Sequence, residues 1–227
     1  MVIEARDLSR RYGRRWAVAR VDLEIPLGER FLVVGANGSG KTTLLRVLAT
    51  AIGPSLGSLR LLGLDPEREL PQIRRQLALL SHLPQVYEDL SARQNLEVLF
   101  SLMGVQDDPG SYLDRVGLED RPDSVRSFSA GMRKRLSFAR LLGQKPRLVF
   151  IDEPYGQLDP EGFVFVDRLL SELSEQGVTV VVASHQVERA GLLCHRAMLL
   201  HEGQCRWLGP GPDVGRAWKA LHGGSAQ

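Results

Sequence analysis

The stretch GANGSGKTTLLRVL, residues 35–48, decides how this chain reads. It carries the GxxxxGK[ST] pattern in full, from Gly35 through Asn37, Gly38, Ser39, Gly40 and Lys41 to Thr42, with Thr43 next in line. Residues 30–34 ahead of it read as an apolar strand. Residues 41–50 behind it read as a helix with Leu44, Leu45 and Leu48 on its buried side. Strand, glycine loop and helix in that order make a phosphate cradle. The glycines let the backbone wrap tightly and aim its amides at phosphate oxygens. The helix that follows offers free N–H groups and the positive end of its dipole. Lys41 supplies a point charge to the β and γ phosphates, and the Thr42 hydroxyl suits Mg²⁺. A plain glycine-rich turn explains neither Lys41 nor Thr42, so the stretch reads as a nucleotide site.

A second segment completes that site. In LVFIDEP, residues 148–154, four apolar residues run into two carboxylates. A buried strand here holds Asp152 at its end, near Mg²⁺, and leaves Glu153 to polarise an attacking water. Paired acids at a strand end are weak evidence alone and become specific beside the glycine loop. His185 follows VTVVVAS, at the carboxyl end of another strand, where open parallel sheets bind ligands. A neutral imidazole there reaches the γ-phosphate and helps hold the water.

Outward from these segments, strands are expected over 2–8, 16–25, 57–62, 77–81, 178–183, 196–201 and 204–208, with a helix over 161–175. Ser91 and Gln94 read as a capping box for a helix bearing Leu96 and Leu99. A short helix is expected over 110–117, so 84–145 reads as a mostly helical insertion. Such alternation implies an α/β fold. The 227 residues suit one domain, 43% apolar and 25% charged. The 29 basic and 27 acidic residues leave a net charge of +2, which does not suggest a nucleic-acid binder. The N-terminal arginines, Arg15 among them, read as a solvated patch. No apolar run is long enough to span a membrane, and the N-terminus carries charges where a signal peptide has its apolar core. Cys194 and Cys205 suit a reducing compartment. Cys194-His195 is not a CxxCH haem-attachment motif, because residue 191 is glycine.

Together with FSAGMR, residues 128–133, these segments resemble the ATP-binding subunit of an ATP-binding cassette (ABC) transporter over nearly the whole chain. FSAGMR is similar to the family's LSGGQ signature, with Ala130 for the first glycine and Met132 for the glutamine. Ser129 and Gly131 are kept. The resemblance implies a P-loop NTPase with an antiparallel β subdomain, a helical signature subdomain over 84–145, and 1–227 as one ABC domain. It implies ATP and Mg²⁺ as cofactors. It also implies a second cassette, expected as a homodimer, in which Ser129 and Gly131 of one subunit meet the γ-phosphate held by the other. Leu158-Asp159 resembles the D-loop between the two sites. Tyr12 resembles the aromatic that stacks on adenine; it also fits an ordinary strand-edge aromatic. His82 falls where the family has a glutamine near Mg²⁺ and water, which puts standard coupling at that loop in question.

Within the family, His82, the SAGM sequence and Ser184-His185-Gln186 look like the haem-exporter ATP-binding subunits of cytochrome c maturation. That implies haem export through a CcmB-like integral membrane permease, at the cytoplasmic face of the cell membrane. Other small exporters, of drugs, ions or lipids, share much of the pattern. The region 84–128, especially around His82–Asp89, is expected to receive the permease, with Leu83, Val86 and Tyr87 either exposed contacts or core. Trp207 and Trp218 either pack the last elements or meet a partner. A chromosome-structure ATPase would need a long coiled coil between glycine loop and signature, and about 90 residues do not hold one. A non-catalytic binding module would not require Glu153 and His185.

Overall fold

A computed structural model describes residues 1–81 and 85–222. The expectation for His82 and Leu83 falls outside those residues. Three segments build an antiparallel sheet in the order β2-β1-β4: β1 (Ile3–Tyr12), β2 (Arg15–Ile25) and β4 (Leu56–Leu61). A second sheet runs β5-β6-β7-β3-β8-β9, where β3 is Arg30–Val34, β5 Leu77–Leu80, β6 Leu148–Asp152, β7 Thr179–Ser184, β8 Arg196–His201 and β9 Gln204–Pro210. All its pairings are parallel except the last, β8 with β9. This is the α/β fold with an antiparallel β subdomain and helical insertions expected of the family.

The central strands read as continuous apolar runs because helices or a second sheet cover both faces. Every residue of β6 and β7 is buried. Strand alternation then sends side chains to two cores. Leu32, Val34, Val149, Ile151, Val180 and Val182 join one core with the helical insertion. Phe31, Val33, Leu148, Phe150 and Val181 join the other, with α1 (Lys41–Leu48) and the antiparallel sheet.

The insertion contains α3 (Ala92–Met103), α4 (Pro109–Arg115) and α5 (Ala130–Gly143). Ser91 starts α3 with the expected capping box, and the Phe100 and Tyr112 rings meet edge to face at 5.2 Å. Gly143 is required there, since a Cβ would lie 2.3 Å from the Phe100 ring. Helix α6 (Pro160–Glu175) is capped by Asp159. Three helices are additions to the expected set: α2 (Pro66–Arg74), α7 (Val187–Leu193) and α8 (Val214–His222). The strand expected from residue 2 to 8 runs on to Tyr12, and the helix expected to residue 50 stops at Leu48. Among the described residues no helix is long and apolar enough to cross a membrane.

Candidate active site

Parallel pairing brings three distant segments to one sheet edge. Strand β7 lies between β3 and β6, with Val34 beside Ser184 and Asp152 beside Ala183. The glycine loop after β3, the acids ending β6 and the histidine after β7 therefore converge. They line a cavity of about 930 Å³ with Tyr12, Gly35, Asn37, Gly38, Gly40, Lys41, Thr42, Thr43, Asp152, Glu153 and His185 around it. Ser39 is buried in the loop beside them. Arg15, Ala17, Gly156 and Trp218 also line the cavity, and no local motif announces them. Trp218 packs against the helical core as well, so it does pack the last elements.

The loop's shape depends on glycine at two positions. At Gly40 φ is +107°, and a Cβ would lie 2.2 Å from the Ala17 carbonyl. At Gly35 a Cβ would lie 2.3 Å from Ser39 Oγ. No side chain caps the start of α1, so its first-turn amides stay open to an anion. Lys41 Nζ donates to the carbonyls of Gly35 at 2.8 Å and Ala36 at 3.1 Å, which holds the ammonium across the loop. Burial pulls its pKa down, and the nearby Glu153 and Asp152 charges oppose that. A pocket with open amides, one ammonium and two acids fits a nucleotide's phosphate chain. One buried carboxylate, Asp152, and one hydroxyl, Thr42, fit Mg²⁺, which takes few protein ligands and completes its shell with phosphate and water. Bound there, Mg²⁺ would neutralise phosphate charge.

Glu153 is held from several sides. Its backbone sits at φ +51°, in the left-handed region that non-glycine residues rarely occupy. Its N–H donates to the Ala183 carbonyl at 2.9 Å, and its carbonyl accepts from Lys134 Nζ at 3.1 Å. Its carboxylate Oε2 lies 2.8 Å from His185 Nδ1. With its proton on Nδ1 the imidazole donates to that oxygen. His185 thus meets Glu153 through Nδ1 while lining the same cavity.

Ser129 and Gly131 do not reach this cavity. They line a separate concavity of about 400 Å³ with Gln157, Leu158 and Asp159. Ser129 caps α5 by accepting from the Met132 N–H at 3.2 Å. Tyr12 is half-exposed, with the Arg10 guanidinium 5.0 Å from its ring centre. Tyr87 is exposed, whereas Val86 packs partly buried against the core.

The family model described as ABC transporter matches residues 18–156. The chain is 31% identical over 207 residues to the bacitracin transport ATP-binding protein BcrA of Bacillus licheniformis, covering 89% of this chain and 68% of that one. It is 38% identical over 187 residues to the cytochrome c biogenesis ATP-binding export protein CcmA of Xanthomonas axonopodis pv. citri, covering 81% of this chain and 86% of that one. A bacterial ABC transporter cassette solved as a dimer superposes with a TM-score of 0.82 at 26% identity, covering 92% of this chain and 98% of that one.

Proposed function

This chain belongs to the ABC transporter family and is an ABC-type ATPase, and on that premise we propose that it works as one half of a two-cassette motor for a separate membrane permease. The convergence of glycine loop, Asp152, Glu153 and His185 on one cavity carries the reading. Lys41 and the α1 amides hold the phosphates, and Thr42 and Asp152 hold Mg²⁺. Glu153 orients the attacking water, kept in place by His185. Tyr12 takes the adenine. Ser129 and Gly131 act on the nucleotide of a second copy, which their distance from their own cavity supports.

The permease selects the cargo. The relatives span several cargoes, so export by a small ABC exporter is the reading in view. Haem export with a CcmB-like permease at the cytoplasmic face of the membrane is the narrower one, supported by the likeness to CcmA. Two experiments test these readings. Glu153→Gln is expected to bind MgATP, lose hydrolysis and run as a dimer in native mass spectrometry. A monomeric variant with parental turnover would refute the catalytic assignment. Affinity purification of the chain from detergent-solubilised membranes is expected to recover a permease. A haem-exporter subunit supports the narrower reading, another permease supports the broader one alone, and no membrane protein refutes both.

A further inference from the structure

Among the described residues Lys134 is one of the few buried charged ones, 2% exposed. It lies on α5, whose N-terminus is capped by Ser129 and carries Gly131 in its first turn, and its ammonium reaches back to the carbonyl of Glu153 at 3.1 Å. Three groups face it: the Asp152 and Glu153 charges, and the Phe138 ring, whose centre is 5.8 Å away. Burying an ammonium is costly, so its presence here calls for a specific partner. The contact it makes has a specific target. Glu153 occupies a left-handed backbone conformation that persists only where its surroundings enforce it. Its N–H is pinned by β7 and its carbonyl by Lys134, so each peptide flanking this residue has a fixed point.

We propose that Lys134 is a positioning residue: it fixes the backbone of Glu153 from the signature helix, so that the seating of that helix sets the aim of the catalytic carboxylate. The inference rests on the functional reading above. Its consequence concerns both sites of a cassette pair. The N-terminus of α5 addresses the partner's nucleotide, while Lys134, about 7 Å further along the same helix, addresses the carboxylate of its own subunit. One rigid helix therefore ties nucleotide engagement at one site to water orientation at the other.

The test is steady-state MgATP hydrolysis by the full chain, with the MgATP Kd measured separately, for the parent, Lys134→Met, Lys134→Arg and Glu153→Gln. Lys134→Met is expected to lower kcat about tenfold or more, because small displacements of a catalytic group are costly. Its Kd stays within about twofold of the parent, since the phosphate contacts are untouched. Lys134→Arg, which keeps a charged donor, recovers most of the loss. Parental kcat in Lys134→Met overturns the inference, while an inactive Glu153→Gln in the same series leaves the functional reading standing. An active Glu153→Gln overturns both. Parallel losses of Kd and kcat without rescue by arginine assign Lys134 to packing and overturn the inference. Should Lys134→Met fail to fold, Lys134→Gln, which ends short of the Glu153 carbonyl, is judged by the same criteria.

Discussion

In the proposed mechanism Glu153 shows how much chemistry rests on single side chains. Its carboxylate is aimed by His185 at 2.8 Å, and its strained backbone by contacts from two other elements. Removing the imidazole should release the carboxylate without touching the phosphate cradle. His185→Ala is therefore expected to lower kcat about 100-fold, in the range of a lost acid–base contact, with nucleotide affinity nearly unchanged. Single-turnover and binding measurements on the same preparation check this. Gly40 carries a different constraint. A methyl group there meets the Ala17 carbonyl at 2.2 Å in a left-handed backbone. Gly40→Ala should abolish nucleotide binding, read by titration with a fluorescent nucleotide analogue.

Two helix starts in the insertion look alike and should behave differently. Ser91 begins α3 and Ser129 begins α5, and each accepts a backbone N–H of its own helix. Losing such a cap costs about 1 kcal/mol, so both alanine variants should lower stability by a similar amount in urea unfolding. Ser91→Ala should leave turnover per folded molecule at the parental level. Ser129→Ala should lower it, because the same hydroxyl is proposed to meet the partner's nucleotide. Equal turnover in the two would remove Ser129 from the shared site. Helix α2 shows why element boundaries resist reading. Pro71 argues against a helix, yet Asp65 caps it, Pro66 suits its first turn, and the backbone kinks at Glu69, two residues before Pro71.

For the molecule as a whole, buried ionisable groups shape stability at alkaline pH in both directions: burial raises Cys194 and Tyr155 and lowers Lys41 and Lys134. Burial pushes the Cys194 thiol up to about 12, helped by Glu29 and opposed by Arg30. In the unfolded chain a thiol ionises near its ordinary value of about 8.5. Between these limits the native state binds more protons than the unfolded state, so stability falls as pH rises. Below the lower limit this contribution is fully present. Burial and the Asp167 hydrogen bond raise Tyr155 in the same direction. Cys194→Ala should therefore flatten the decline between about pH 9 and 11 by up to about 1.4 kcal/mol per pH unit. Urea midpoints of both proteins across that range check the slope. An unchanged slope would assign the alkaline decline to other groups.

Sequence alone determined what near neighbours in the chain decide. The glycine loop, the apolar strands that run into it and into Asp152, and the Ser91 cap are all patterns within a few residues. Each follows from local backbone geometry and from the need to bury apolar side chains. That was enough for the fold class and for most of the residues around the cavity. Tertiary structure decided what depends on residues far apart in the chain. It placed Arg15 and Trp218 at the cavity and kept Ser129 and Gly131 away from it. It turned His185 onto Glu153, and it brought Lys134 beneath the carbonyl of a residue in a strained conformation. No local period announces such meetings, because strand order and helix packing create them. A lysine on a helix reads as solvent-facing until the sheet it packs against is known.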